Sequence, residues 1–375
     1  MNPKNVKKNS VFLKLVYFIA VFIVLFLCLF FFIRCSAKNR ISLPNNENKD
    51  VYKIAMVTDL SGINDQSFNQ SAWEGLKELK SELGDKIDIS YTEPKQSSDY
   101  NLILDRLSDK DYDLIYGISF SLADSIKETA LLNLDKNYII VDSSFGDETP
   151  NNVACVTFCS QESAFLVGYI AGKKTVSNKV GFVGGQRSEI IDQFEYGFKA
   201  GVKFAGKELG KNIDILTQYA ESFSDVAKGK AIGSKMYSGG CDIIFQAAGG
   251  TGYGVIESAK ENGKLVIGVD RDQSDIAPGN VLTSALKNVN KAVKLVSEKM
   301  IKGEDILGKT ITFGSKEGCV GIPEDPTIMG EPLYKEALNL FRCIENGYLS
   351  VKGKKLVIPV SKIQYEEFLD RLNDI

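Results

Sequence analysis

Histidine is absent from all 375 residues, and that absence removes more function classes than any other feature. Without an imidazole there is no Ser-His-Asp triad, no histidine general base and no His-ligated metal centre. Cysteine is present but scattered: seven occur, and outside the N-terminal segment they are Cys155, Cys159, Cys241, Cys319 and Cys343, with no C-x-x-C pair. An odd, dispersed set argues against a disulfide framework or a zinc site. Runs such as NVACVTF and CDIIF suit cysteines that serve as small buried hydrophobes. There is no G-x-x-x-x-G-K-[ST], so a P-loop nucleotide triphosphatase is not expected. Nor is there an excess of positive charge. With the five N-terminal cations Lys4, Lys7, Lys8, Lys14 and Arg34 set aside, 40 basic residues face 48 acidic ones. Such a body has no general attraction for nucleic acid or anionic lipid.

What is present begins with an address. Lysines precede an apolar run from Leu15 to Ile33, followed at once by Arg34, Cys35 and Ser36, which reads as an export signal over residues 1–35. Cys35 stands where a bacterial lipoprotein carries its fatty-acylated, palmitate-bearing cysteine, although Arg34 replaces the small residue usual before it. The run approaches the roughly 20 residues that span a bilayer, so an uncleaved signal anchor is the alternative. Residues 36–50, with Pro44, Asn45, Asn46 and Asn48, form a polar tether that holds the rest off the membrane.

The remaining chain alternates β-branched apolar runs with amphipathic stretches. The first set is 53–59, 87–92, 112–119, 137–143 and 152–158, and the second is 179–185, 213–221, 241–248, 264–270 and 281–286. Runs apolar throughout suit strands buried on both faces, and Ala72, Leu76, Leu79 and Leu83 stripe a helix over 66–83. Strand–helix alternation predicts parallel, doubly wound sheets. Two sets of five predict an α/β chain with two Rossmann-like lobes.

Ligands of open parallel sheets lie outside the carboxyl ends of the strands. The first strand runs into Thr58-Asp59-Leu60-Ser61-Gly62 and a cap-rich helix start at Phe68-Asn69. Phe68 either staples that helix to the core or reaches over the turn. The run 241–248, ending Phe245-Gln246-Ala247-Ala248, leads into Gly249-Gly250-Thr251-Gly252-Tyr253-Gly254, where glycines allow close backbone approach. Val255 occupies the third glycine position of G-x-G-x-x-G, which makes a nicotinamide cofactor a weak reading.

The stretches KIAMVTDLSGINDQSFNQSAWEGLKEL, DIIFQAAGGTGYGVIESA, GVDRDQS and LTSALKNVNKAV, in this order over about residues 52–300, resemble the basic membrane protein family, the purine nucleoside receptor lipoproteins of bacterial ABC importers. The Lys- and Asn-rich composition is similar to that of the spirochaete members. The resemblance implies a type I periplasmic-binding-protein fold with a hinge. One lobe would be 51–158 plus about 284–312, and the other 159–283 plus about 313–375. It further implies that Phe68 and Phe245 sandwich a purine base and that Asp59, beside Asn69, accepts hydrogen bonds from it. Asp270 and Lys287 would hold the ribose, Asp142 would be a further contact, and Gly249 would turn the backbone toward the ligand. No catalytic residue, cofactor or metal is expected.

The chemistry agrees with these assignments. Base–aromatic stacking is worth about 1–3 kcal/mol per base, and a carboxylate in a dry cleft is a strong acceptor for ring N–H or ribose hydroxyl groups. The expected partners are a purine nucleoside, an ABC permease with its ATPase, and the cell membrane through a lipid or signal anchor, with the lobes facing the periplasm or exterior. Nucleic acid is not among them. The alternatives are a sugar receptor of the same fold, a surface adhesin or antigen with host ligands, and, further off, a nucleoside hydrolase or dehydrogenase.

Overall fold

The computed structural model describes residues 51–374, so the signal segment, Cys35 and the tether lie outside the described residues. Ten strands form where the apolar runs predict them. In the first lobe these are β1 (Tyr52–Val57), β2 (Ile87–Thr92), β3 (Leu114–Ile118), β4 (Tyr138–Val141) and β5 (Val153–Phe158). In the second they are β6 (Lys179–Gly184), β7 (Asp214–Tyr219), β8 (Ile243–Ala247), β9 (Leu265–Asp270) and β10 (Val281–Lys287). Each lobe adds a short return strand, β11 (Thr310–Phe313) to the first sheet and β12 (Val320–Gly321) to the second. The sheet orders are β11-β5-β4-β3-β1-β2 and β12-β10-β9-β8-β6-β7. The second repeats the first strand for strand, except that β12 runs antiparallel to β10. Central strands such as β3 and β8 are buried throughout. The edge strands β2 (IDISYT) and β7 (DILTQY) carry the polar, half-exposed sequences that an edge tolerates.

Helices α1 (Phe68–Leu83), α2 (Asp99–Ser108) and α3 (Ala123–Leu132) belong to the first lobe, and α4 (Ser160–Lys174), α5 (Glu189–Leu209), α6 (Val226–Ser238) and α7 (Gly250–Asn262) to the second. Helix α4 is buried on nearly every side. It lies against α5 at a separation only glycine permits: a Cβ on Gly201 would sit 2.0 Å from the Phe165 carbonyl oxygen, and one on Gly168 2.2 Å from that of Phe198. Helix α8 (Val289–Ile301) returns to the first lobe and crosses α1. Residues 331–373 add α9 (Glu331–Phe341), a three-stranded hairpin sheet of β13 (Ile344–Glu345), β14 (Tyr348–Val351) and β15 (Lys354–Val357), and α10 (Lys362–Asn373). Ala337, Leu349, Leu356 and Phe368 seal them onto the second lobe's core.

The chain passes between lobes three times: after Phe158, after Lys287, and between Phe313 and Val320. The second passage corrects the expected boundary at about 284, because β10 stays paired with β9 through Leu286 and with β12 through Lys287.

Candidate functional site

Both sheets point the carboxyl ends of their strands into the space between the lobes, as parallel order requires. A cavity of about 490 Å³ lies there, and it brings together Asp59, Phe68, Asp142, Gly249, Asp270 and Lys287. These come from the ends of β1, β4, β8, β9 and β10 and from the first turn of α1.

The first lobe contributes two acids held by short local bonds. The Asp59 carboxylate accepts from the Ser61 N–H and from Asn69 Nδ2, each at 2.8 Å. Asn69 is buried and outside the cavity lining, so its part is to aim Asp59. Asp65 opens helix α1: its carboxylate accepts from the N–H groups of Ser67, Asn69 and Gln70 at 2.8 to 3.0 Å. That satisfies donors a helix start leaves orphaned. Asp65 also lines the cavity, a role the sequence reading missed. Burial pushes both carboxyls above the usual carboxylate range, against the pull of these hydrogen bonds.

Asp142 and Asp270 end β4 and β9, which are equivalent strands, and both adopt left-handed backbone with φ of 65° and 66°. Such a conformation is costly for a residue with a side chain and clusters at functional sites. Lys287, 1% exposed, forms an ion pair with Asp142 Oδ2 across the cleft. The ammonium lies 4.7, 4.9 and 5.8 Å from the ring centres of Phe68, Phe158 and Phe194, within cation–π range. Asp142 Oδ1 is buried and has no hydrogen-bond partner among the described residues. Asp270 accepts from the Ser67 hydroxyl of the opposite lobe. Burial raises its pKa to about 7, with Lys287 and Ser67 opposing and Asp65 and Asp142 reinforcing. Burial raises that of Asp142 as well, against the attraction of Lys287.

Phe245 requires a correction. On β8 the residues Ile243, Phe245 and Ala247 share one face, and only Ala247, at the strand's end, reaches the cavity. Phe245 lies deeper, 0% exposed, with its ring centre 5.6, 6.1 and 5.3 Å from those of Phe182, Phe194 and Phe198. It packs the core beneath the cavity floor. The aromatic lining on the second lobe is Phe194 on α5 and Phe223 in the loop after β7. Phe223 is fixed through its carbonyl, which accepts from the Thr251 N–H at 3.0 Å and from the Ser61 hydroxyl at 3.3 Å. Its ring meets Phe120 of the first lobe edge-on at 6.2 Å. Gly249, with φ of 54°, turns the backbone beside Phe223. The strand-end rule directs attention to the loop after β7, but a lone phenylalanine in ESFSD carries no pattern of its own.

A further bond spans the lobes and is braced from within the second one. Gln273 Nε2 donates to the Gln66 carbonyl at 2.8 Å, while Gln273 Oε1 accepts from the Val269 N–H at 3.0 Å and from Gln246 Nε2 at 2.8 Å. Gln66 is another left-handed residue, with φ of 55°. The cavity is therefore walled by aromatic rings, lined by four carboxylates and one ammonium, and bridged at its edges by neutral hydrogen bonds.

The family model described as "ABC transporter substrate-binding protein PnrA-like" matches residues 52–355. Basic membrane protein A of Borreliella burgdorferi is 39% identical over 342 residues, 90% of this chain and 95% of that protein. The ABC transporter nucleoside-binding protein BmpA of Lactococcus lactis is 41% identical over 292 residues, 73% of this chain and 82% of that protein. Among solved structures, an ABC transporter solute-binding protein from Aeropyrum pernix aligns with a TM-score of 0.75 at 23% identity, over 86% of this chain and 98% of that one. At that identity the likeness supports the fold. The chain belongs to the PnrA-like family of ABC transporter substrate-binding proteins, and it is a solute receptor rather than an enzyme.

Proposed function

We propose that this receptor captures purine nucleosides in the interlobe cavity and presents them to the permease of an ABC importer from the outer face of a membrane. The observation that carries the reading is a cavity with two chemically distinct groups. One gathers Asp59, Phe120 and Phe223, suited to a flat ring that donates N–H groups. The other gathers Asp142, Asp270 and Lys287, buried and coupled, suited to vicinal hydroxyls. Phe68 and Phe223 take the base faces, Asp59 accepts from the base, and Asp270 with the unpartnered Asp142 oxygen accepts from the ribose.

Charge selects nucleosides over nucleotides. Four carboxylates against one ammonium leave no counter-charge for a phosphate, and like charges brought together in an interface cost several kcal/mol. A ligand that touches both lobes would favour the shut state by its differential affinity, with the three passages between lobes serving as the hinge.

Calorimetric titration of the full-length protein in detergent with adenosine, guanosine, inosine, ribose and adenosine monophosphate tests the reading. The nucleosides should bind, with ribose and the nucleotide weaker by about 2 kcal/mol or more, a factor of about thirty. Ribose binding as tightly as adenosine would make the protein a sugar receptor. Anchoring through Cys35 is tested by feeding labelled palmitate to producing cells. Label should be incorporated and lost in Cys35→Ala, and label retained by the variant would place the acyl group elsewhere.

A further inference from the structure

A second recess of about 610 Å³, open to solvent, adjoins the cavity and shares Asp59 and Phe223 with it. Both lobes build it: Ser97, Tyr100 and Ser121 from the first, and Gln186, Ser222 and Ser224 from the second. Apart from the shared Asp59, every side chain lining it is uncharged, and hydroxyls predominate. This differs from the inner cavity, where carboxylates and an ammonium crowd together.

The shared residues set the direction in which a bound ligand faces this recess. Asp59 and Phe223 belong to the group assigned to the base, whereas Asp142, Asp270 and Lys287 line the inner cavity alone. A substituent on the edge of the base nearest Asp59 would therefore leave the cavity past Phe223 and enter the recess. A nitrogen carrying one substituent keeps one N–H for the Asp59 carboxylate, so the contact that orients the base survives. Tyr100 is buried beside Asp59, and its hydroxyl is pushed up to about 12 by burial and by that neighbouring charge, so it stays a neutral donor.

Resting on the nucleoside reading, we propose that the recess is a subsite for an uncharged substituent on the exocyclic nitrogen of the base, and that the receptor accepts base-modified as well as plain purine nucleosides. A pocket enclosed on all sides would reject such ligands through overpacking. Here the extra group meets open, hydroxyl-lined space.

The test compares adenosine with N6-benzyladenosine by calorimetry on the full-length protein in detergent. The benzylated compound should bind within about tenfold of adenosine. Gln186→Trp on the second lobe and Ser97→Trp on the first replace exposed residues and fill the recess from opposite sides. Each should weaken N6-benzyladenosine by about tenfold or more and change adenosine by less than about threefold. Two variants on separate lobes guard against one failing to fold. Adenosine binding with a benzyl penalty greater than tenfold in the parent would overturn the subsite and leave the nucleoside reading intact. So would benzyl affinity unaffected by either folded tryptophan variant. Failure of both compounds to bind would overturn the nucleoside reading, and the subsite with it.

Discussion

Truncating Phe245 and truncating Phe223 should have opposite signatures, because one ring fills the core and the other faces the cavity. Phe245 is wholly buried and touches Phe182, Phe194 and Phe198. Phe245→Ala removes most of a ring from a close-packed cluster that the helix above cannot collapse into without moving Phe194. Phe→Ala changes of this kind cost about 3–5 kcal/mol. Phe223 is half-buried in a loop, held by its carbonyl rather than by its ring. Phe223→Ala should cost about 1 kcal/mol or less in stability. Its loss should fall on nucleoside affinity, by about 1–3 kcal/mol, a factor of roughly five to over a hundred. Denaturant unfolding of the ligand-free protein and calorimetry on the same preparations separate the two. If Phe245→Ala left stability within about 1 kcal/mol of the parent, or if Phe223→Ala left adenosine affinity unchanged, the division between floor and wall would be wrong.

The protonation of Asp270 supplies a second expectation. Its carboxyl is raised to about 7 in the folded state, chiefly by burial, from about 3.9 unfolded. The native protein therefore holds a proton that the unfolded chain releases, and this group lowers stability as pH rises from about 4 to about 7. Asp270→Asn should flatten that part of the stability profile; an unchanged slope would refute the assignment. In the parent, nucleoside affinity should rise through about pH 7 as the stronger, ionised acceptor forms. Lys287→Met leaves Asp142 buried without its counter-charge and should cost about 3–5 kcal/mol, much of it recovered in Lys287→Met with Asp142→Leu. Equal losses in the single and double variants would show that the pair is not coupled. Gly201→Ala should cost about 1–3 kcal/mol by forcing α4 from α5, and thermal melts matching the parent would show that the helices can separate freely.

The central strands were legible because a strand buried on both faces leaves a short run of apolar, β-branched residues, and the edge strands β2 and β7 because they recur at the same place in the strand–helix alternation. The return strands β11 and β12 were not, since four and two residues cannot establish a period. The C-terminal hairpin escaped for a related reason: half its residues face solvent, and its hydrophobics pack onto a core made elsewhere in the chain. At the site, strand-end reasoning named Asp59, Asp142, Asp270 and Lys287, and all four line the interlobe cavity. Phe245 lies too deep. Motif position puts an aromatic near the end of β8, but Phe245 and Ala247 share a face of the strand, and only the residue at the strand's very end reaches the cavity, so a step of one pleat makes the difference between floor and lining. Asp65 was legible in principle as a helix-capping acid; that its other surroundings form the cavity wall depends on how the second lobe closes over it.

The duplicated sheet order explains why the polar centre of the cavity is built as it is. Strands β4 and β9 are counterparts, and each ends in an aspartate forced into left-handed backbone. When two such sheets face one another across a hinge, their equivalent strand ends converge, and two acids meet. Two carboxylates in a dry site repel, and one would be expected to take a proton or acquire a cation. Lys287, carried by β10 at the passage into the first lobe, pairs with Asp142, and burial raises the Asp270 carboxyl, beside the Ser67 hydroxyl, to about 7. The lysine thus neutralises a charge in the opposite lobe from a position at the second passage. On the proposed reading, parting of the lobes would separate this buried ion pair, and a ligand donating hydroxyl protons to Asp270 would stabilise its ionised form and, through Lys287, the shut arrangement. Lys287→Met should then weaken ligand affinity and interlobe compaction together rather than either alone.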